Sequence, residues 1–264
     1  MSEFHKLRVV TRYEFLKHLR RKRLYIVLGV ALVTEVVVLI LVPVLMEGYP
    51  DNVVVMAALL SIGPSLAAFG GVFLAGDAIA GEFEGKTGYI LFPNPVRRIT
   101  LVVGKYLACC AAVTLLIVFV YAIVSISLFA IYGEVLLETA KSFGLCLLYA
   151  GSVLSVTFFF SSISKGAMGA TVIALVFIIV ISGVIDGILM MAGQPHWFML
   201  STNQDSIVLV YGGYELFMEG FMPGGMLPFE IETPDINLSI LSMVIYMVAG
   251  FVLSAWISKR RQLG

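Results

Sequence analysis

Charged residues are scarce in this sequence: Asp, Glu, Lys and Arg make up 13% of its 264 residues, while hydrophobic residues make up 60%. Soluble domains carry about 25% charged residues, so this composition excludes an ordinary soluble protein. The apolar residues also stand in long unbroken runs, close to the ~20 residues that cross a bilayer as a helix. The sequence therefore predicts an all-α polytopic membrane protein.

Six of these runs predict transmembrane helices, at 24–46, 53–76, 101–132, 142–163, 166–191 and 238–258. The third run is longer than a span needs, and Lys105 near its start indicates a first turn among the lipid headgroups. No soluble domain or internal repeat interrupts the pattern. We expect residues 1–264 to form a single transmembrane domain.

Lysine and arginine are almost absent from one side of this predicted bundle. Sixteen of the 17 fall in the N-terminal arm, in the loop after the second span and the first turns of the third, in the loop after the fourth span, or after the last span, and Lys141 is the exception. Cytoplasmic loops accumulate these residues, so both termini are predicted to be cytoplasmic. Acidic residues predominate on the other side.

Cysteine and histidine number only three each, and their positions indicate no metal site. Cys109 and Cys110 are adjacent and Cys146 stands alone, without CxxC spacing, so we interpret them as packing residues. No histidine falls inside a predicted span, which argues against hydrolysis within the bilayer. We expect no catalytic residue, no metal and no cofactor in this chain.

The tripeptide GKT at 85–87 matches the end of a phosphate-binding loop, G-x-x-x-x-G-K-[ST]. The first glycine of that motif is replaced by Ala80, and Glu82 and Glu84 would repel phosphate. An apolar span, and not a strand, precedes the tripeptide. We therefore predict that no nucleotide binds here.

Short motifs in and after the same loop have a different parallel: E-x-E-G-x-T at 82–87, Leu91, N-P-V-x-R at 94–98 and G-K-x-L at 104–107. Together they resemble the cytoplasmic loop of type-2 ABC exporter permeases. The glycine stands one place earlier than is usual there, and Arg97 replaces a frequent serine. The basic arm, six spans, cytoplasmic ends and long outer segment before the last span agree with that family along the whole chain.

The resemblance implies the permease subunit of an ATP-driven ABC transporter, an exporter, without catalysis of its own. The loop 77–100 would form a coupling helix that docks on a separate ATPase subunit, which binds ATP and Mg²⁺. Two ATPases and a second permease chain, in a homodimer or heterodimer, would complete the unit in the plasma membrane of a prokaryote. No nucleic acid is implied. The segment 192–237 would form re-entrant outer helices, and 1–23 an interfacial helix.

The loop's own chemistry agrees with docking, because large apolar side chains stand among charges of both signs. The predicted docking residues are Glu82, Phe83, Glu84, Thr87, Tyr89, Leu91, Phe92, Arg97 and Arg98. The alternative is an ordinary solvated loop, but five large apolar residues within ten positions argue against it.

The arm 1–23 contains no proline or glycine after Met1 and can be helical. Its loosely shared apolar face carries Phe4, Leu7, Thr11, Phe15 and Leu19, with Arg8 and His18 interrupting it, and it ends in Arg20, Arg21, Lys22 and Arg23. Two interpretations stay open: an interfacial helix on anionic headgroups, or a simple basic anchor that fixes topology.

Two ionisable residues fall inside spans, where a charge costs about 2.5–3.5 kcal/mol on insertion scales. Glu35 lies near the midplane, and Asp186 lies within G-x-x-x-G at 183–187, a pattern that lets another helix approach closely. They indicate either a polar pathway or proton site, or buried hydrogen bonds. Two further functions stay open: an ion-coupled secondary transporter that uses both residues, and a membrane assembly component that transports nothing.

Overall fold

The computed structural model describes residues 3–85, 97–212 and 235–260. Every regular element in these ranges is a helix, and six of them are long and apolar enough to cross a membrane. The predicted all-α fold with six spans is therefore confirmed. The remaining predictions for the loop 77–100 and the segment 192–237 fall partly on residues 86–96 and 213–234, outside the described ranges.

The helices follow one another in the predicted order. Helix α1 (Glu3–Arg20) precedes the first span, α2 (Lys22–Leu45), and the second span contains α3 (Val53–Leu60), α4 (Ile62–Phe69), α5 (Gly71–Ala75) and α6 (Ala80–Glu84). The third and fourth spans are α7 (Arg98–Tyr132) and α8 (Leu137–Ile163), and the fifth contains α9 (Ala167–Leu175), a π-helical segment (Val176–Ile181) and α10 (Ser182–Met191). Helix α11 (Leu200–Leu209) and the sixth span, α12 (Ile236–Arg260), follow. The second span continues to Glu84, eight residues beyond its predicted end.

The second span is divided because glycine and proline interrupt its helical hydrogen bonds. Pro64 has no N–H group, so the carbonyl of Leu60 loses the donor it would have in a continuous helix. Between α5 and α6 the chain makes turns at residues 76–79. This span is also the most buried of the six, since it packs against α2, α7 and α8. Its breaks therefore lie in the centre of the bundle.

Helices α8 and α12 form the most extensive contact between spans. Gly250 makes it possible, because a Cβ there would come within 2.8 Å of the backbone of Ser155. Serine hydroxyls then join the helices: Ser152 donates to the Met243 carbonyl at 2.8 Å, and Ser254 donates to the Phe158 carbonyl at 3.1 Å. Small residues and such hydroxyl bonds are how helices associate where no water is present.

Helix α1 lies along α7, and the helical prediction for the arm is confirmed. Gly104 lacks the Cβ that would collide with Val10, so the two helices approach closely. Phe15 and Leu19 pack against the core, as their shared face predicts. Phe4 does not follow that face: it lies level with the first turn of α7 and stays exposed. His18, which interrupts the face in sequence, is buried.

One end of the bundle collects most of the basic residues, and we call it the basic end. It contains α1, α6, the starts of α7 and α9, and the last turns of α12. Phe83 and Lys105 share a cavity of about 40 Å³ with Ser258, which places the end of α12 beside α6 and α7. This grouping is the one predicted from the lysine and arginine pattern.

Candidate functional site at the basic end

Lys105 is the centre of a buried charge cluster. Its side chain is 8% exposed, and its Nζ donates to Glu14 Oε1 at 2.9 Å and to Glu82 Oε1 at 2.7 Å. The three residues belong to α7, α1 and α6. A buried ammonium group is stable only when it is paired and hydrogen-bonded. Lys105 therefore connects the arm and the end of the second span to the third span.

Lys17 adds a second, more exposed cation to the same two carboxylates. Its Nζ lies 3.2 Å from Glu14 Oε2 and 3.9 Å from Glu82 Oε1. Burial by itself raises the pKa of Glu14, but the charges of Lys105 and Lys17 outweigh it, so the pKa is lowered overall. Glu14 is therefore ionised at neutral pH. Exposed ion pairs contribute little to stability, so Lys105 supplies more of the electrostatic attraction that holds Glu14 and Glu82 than Lys17 does.

Asp77 forms a second ion-pair group where α1 passes into α2. Arg21 Nη1 donates to Asp77 Oδ2, and Arg23 Nη1 lies 3.2 Å from the same oxygen. Asp77 itself stands in the turns between α5 and α6. Arg21 and Arg23, predicted to face lipid headgroups, thus contact the second span, whereas Arg20 and Lys22 are exposed. We call Glu14, Lys17, Arg21, Arg23, Asp77, Glu82 and Lys105 the basic-end cluster.

Ser161 of α8 holds the turns between α5 and α6 in place. Its Oγ accepts hydrogen bonds from the N–H groups of Ile79 at 3.1 Å and Ala80 at 3.0 Å, and donates to the Gly76 carbonyl at 2.8 Å. One side chain thereby satisfies three backbone groups that the helix break leaves without helical partners. The direction of α6, and so the position of Glu82, is fixed by this contact.

Glu84 connects α6 to the fifth span. Its Oε2 accepts a hydrogen bond of 2.7 Å from the N–H of Ala167, in the first turn of α9. A carboxylate at a helix N-terminus satisfies a free N–H group and interacts favourably with the helix dipole. The two glutamates that precede residues 86–96 thus contact different helices of this chain: Glu82 contacts α7 and Glu84 contacts α9.

The predicted docking residues fall into two groups. Thr87, Tyr89, Leu91 and Phe92 lie outside the described residues. Glu82 and Glu84 make the contacts given above, Phe83 packs against the core, Arg97 is exposed and Arg98 is half-buried. The structure thus brings the ends of the loop together at the basic end, and the docking role of these residues stays a prediction.

His18 lies deeper along α1, with its Nε2 3.3 Å from Cys109 Sγ in α7. Burial, reinforced by the positive charge of Arg21, lowers the pKa of His18 to about 4. The imidazole is therefore neutral at pH 7. The sequence indicated packing roles for the cysteines, and Cys109 is buried; its histidine contact was missed because the two residues stand 91 positions apart. Within the described ranges, no group of three or more His, Cys, Asp or Glu residues could hold a metal ion.

The two intramembrane carboxyls have different surroundings. Asp186 accepts a hydrogen bond of 2.7 Å from Thr202 Oγ1, which joins α10 to α11. Glu35 is 1% exposed and has no hydrogen-bond partner among the described residues. No described atom lies within 4 Å of a Cβ added at Gly183 or Gly187, so the helix that this pattern was expected to admit is not within the described chain.

An apolar groove of about 860 Å³ opens between the first and fifth spans. Val27, Val30, Phe69 and Ile178 contribute to its walls, and polar atoms come from Arg23 at one end and from the start of α11 at the other. Helix α11 itself packs against α8 and α12. The re-entrant prediction for 192–237 stays a prediction, because residues 213–234 lie outside the described ranges.

Sequence reasoning missed the partners of Lys105 and the role of Ser161. The signal for Lys105 was present: a lysine two turns into an apolar helix needs a carboxylate unless it reaches water. The sequence placed it among headgroups instead, since nothing local showed that α1 covers it. Ser161 had no comparable signal, because serine is common in spans and its partners are backbone groups 81 to 85 positions away.

Comparison with known proteins adds a finding for most of this chain. A family model described as "ABC-2 family transporter protein" matches residues 11–181, more than half of the sequence. The matched range begins in α1, ends in the fifth span and includes the whole basic-end cluster. A search of curated proteins finds no match.

Proposed function

Because this chain belongs to the ABC-2 transporter permease family, whose members are non-catalytic transmembrane subunits, we propose that it is the permease of an ATP-driven exporter. Its loop 77–100 docks on a separate ATPase subunit, and that subunit binds ATP and Mg²⁺ and supplies the energy. The chain is a multi-pass membrane protein. In this proposal its membrane is the plasma membrane of a prokaryote.

The observation that carries the proposal is the basic-end cluster around the loop. Glu82, which precedes residues 86–96, pairs with Lys105, which follows them, while Glu14 attaches the arm to the same ammonium group. Glu84 adds the fifth span. Separating a buried ion pair is costly, so a force applied to the loop would move these helices together. That is the mechanical property a coupling segment requires.

The positive-inside rule supports a cytoplasmic position for the basic end, where an ATPase has access to ATP. Both termini are cytoplasmic in this arrangement. The arm would rest at the membrane surface with Arg20 and Lys22 exposed to anionic headgroups. The outer segment 192–237 would lie on the opposite side and close the pathway with re-entrant helices.

Two ATPases and a second permease chain complete the proposed unit. The first, fifth and sixth spans are the least buried in the single chain, with exposed apolar residues such as Ile40, Ile188 and Val252. Lipid and a second permease, identical or homologous, are the partners that suit such faces. The apolar groove between the first and fifth spans suits a hydrophobic substrate, because valine, phenylalanine and isoleucine side chains form its walls.

The first experiment is affinity purification of the tagged chain from native membranes in mild detergent, followed by identification of its partners. We expect an ABC ATPase to copurify and its ATP hydrolysis to be altered by the permease. Recovery without any ATPase, under conditions that preserve other membrane complexes, would contradict the proposal.

The double substitution Leu91→Asp with Phe92→Asp tests the docking loop. Two carboxylates in place of the apolar anchors should abolish ATPase copurification while the chain still folds, because anchor residues carry most of the binding energy of an interface. The matched control is Leu216→Asp with Phe217→Asp, the same dipeptide changed in the outer segment. Equal ATPase recovery from both variants would remove the docking claim.

Reconstitution in liposomes separates this function from an ion-coupled transporter. Transport by the permease with its ATPase should require ATP and stop in the Leu91→Asp, Phe92→Asp variant. Transport by the permease alone, driven by an ion gradient and abolished by Glu35→Gln, would support the ion-coupled alternative. A chain that copurifies with an assembly factor and never alters ATP hydrolysis would instead be an assembly component.

A further inference from the structure

Glu35 is a buried carboxyl group whose surroundings the proposed function does not explain. It stands in α2, twelve residues after Arg23, which is about 18 Å along the helix axis. Both carboxyl oxygens are inaccessible, and neither has a hydrogen-bond partner among the described residues. Its position is therefore far from the ion pairs of the basic end.

The carboxyl group lies directly against Gly63, at the start of α4. A Cβ added at Gly63 would overlap Glu35 Oε1 and would also approach its Cδ and Cγ. Glycine at this position therefore leaves the space that the carboxyl group occupies. The neighbouring hydroxyls are engaged elsewhere, because Ser61 and Ser65 donate to the Ala57 and Ser61 carbonyls of their own chain segment. The site admits a carboxyl group, but no described residue offers it a hydrogen-bond donor.

In the part of the chain that the structure describes, no countercharge faces Glu35 from the helices packed against α2. Helices α3, α4 and α5 contain no ionisable residue. The ionisable groups of α7 contact other residues or lie at its start. Lys105 contacts Glu14 and Glu82, and Cys109, which is adjacent to Cys110, contacts His18. The tyrosine hydroxyls bond Ser155 (Tyr106), Ser142 (Tyr121) and the Pro50 carbonyl (Tyr132), and Arg98 is in the first turn. Helix α1 meets α2 at the basic end, where its titratable residues are Glu3, His5, Lys6, Arg8, Arg12, Tyr13, Glu14, Lys17, His18 and Arg20.

An ionised carboxylate without donor or countercharge is strongly disfavoured in the middle of a membrane protein. A neutral carboxylic acid at the same place avoids most of that cost. We propose that Glu35 is a proton-binding site, occupied while α2 lies against α4 and emptied when the two helices separate and admit water. The ligand of this site is a proton.

The location of the site gives the proton a structural consequence. Helix α4 belongs to the second span, whose last helix, α6, carries Glu82 and Glu84 into the loop 77–100. With the proton bound, Glu35 also has an O–H donor. This donor lies near the turn of α4 in which Pro64 has no backbone N–H. Low pH therefore stabilises the contact between the first and second spans, and high pH favours their separation. This inference is independent of the ATPase.

Infrared spectroscopy of the purified full-length chain in lipid nanodiscs tests the protonation directly. At pH 7 the difference between wild type and Glu35→Gln should contain the carbonyl band of a protonated carboxylic acid. Glu35→Asp should shift that band, which keeps the assignment possible if the glutamine variant does not fold. Carboxylate bands in place of the acid band at pH 7 would overturn the proposal.

Hydrogen exchange tests the link between proton loss and helix separation. As the pH rises from 7 to 10, protection in α2 and α4 should fall more in wild type than in Glu35→Gln, after correction for the intrinsic pH dependence of exchange. Asp186→Asn, which changes the other intramembrane carboxyl, should behave as wild type in α2 and α4. Equal pH responses of wild type and Glu35→Gln would show that the proton does not control this contact.

Discussion

Lys105 and Glu35 are both ionisable residues buried within spans, but their surroundings differ completely. Lys105 has two carboxylates within 2.9 Å, contributed by α1 and α6. Glu35 lies against Gly63 of α4, and neither α3 nor α4 contains an ionisable residue. Lys105 is thus paired with carboxylates from distant parts of the chain, whereas Glu35 has no cation as partner within the described residues.

The difference shows two ways in which a membrane protein keeps an ionisable group inside. At the basic end, polar segments can reach the spans from outside, so α1 and α6 bring counterions to Lys105. At mid-depth every neighbouring segment is apolar, and the group can only bind or release a proton. We therefore expect the basic end to be rigid near neutral pH and the α2–α4 contact to respond to pH.

The largest predicted effect comes from Lys105→Met, which leaves Glu14 and Glu82 close together without their buried cation. Removing one partner of a buried ion pair typically costs about 3–5 kcal/mol, and we expect a value near the lower limit because Lys17 remains. Denaturant unfolding of the purified protein in micelles measures the change in the free energy of unfolding.

Lys141→Met is the matched control for that substitution. Lys141 is 57% exposed and pairs with Glu138 one helical turn away, at 3.6 Å. Exposed pairs of this kind contribute about 0.3–0.5 kcal/mol, so its loss should be small. Similar losses for both lysines would mean that the contacts of Lys105 do not stabilise the basic end.

A smaller effect is expected from Gly63→Ala, which places a methyl group where the Glu35 carboxyl lies. Overpacking of a filled site costs about 1–3 kcal/mol, and the flexible glutamate should keep the loss near 1 kcal/mol. Thermal unfolding in nanodiscs measures it.

Gly29→Ala, in the same helix as Glu35, is the control, because no atom of the described residues lies within 4 Å of its added Cβ. Alanine is about 0.8–1.0 kcal/mol better than glycine inside a helix, so this variant should be unchanged or slightly more stable. A loss at Gly29 equal to that at Gly63 would argue against a specific contact with Glu35.

The last predicted effect is the acid response of the arm, which depends on His18. Because the folded-state pKa of His18 is lowered to about 4 from an ordinary value of about 6.5, its contribution is complete above pH 6.5 and declines as the pH falls towards 4. The loss is at most about 1.4 kcal/mol for each pH unit in this window. Hydrogen exchange of α1 at pH 7 and pH 5 should show the loosening.

His18→Asn should remove this acid response, whereas His5→Asn, at an exposed position of the same helix, should keep it. Glu14 responds at lower pH, because its pKa is lowered and its ion pair is lost only as the carboxylate is protonated. Loosening that persists unchanged in His18→Asn would assign the response to another group. Acid thus weakens the basic end, and the same acid should strengthen the contact at Glu35.

The spans were predictable because each depends on a local property, an apolar run long enough to cross a bilayer. The extension of the second span to Glu84 was missed because the turns at 76–79 look like an end in sequence. The Ser161 contact, made by a helix that follows much later, holds these turns so that the span continues beyond them. The basic arm was predictable as a helix, but the contact of Glu14 with Lys105 was not, because the two residues stand 91 positions apart.

By itself, the sequence determined the six spans, the concentration of basic residues at one end and the family resemblance that the match over 11–181 confirms. These features follow from composition and local order along the chain. The tertiary structure decided which charges are paired: it joined Glu14 and Glu82 to Lys105 and left Glu35 against Gly63. The physical reason is that an ion pair needs atoms within about 4 Å, and only the folded chain brings residues 91 positions apart to that distance.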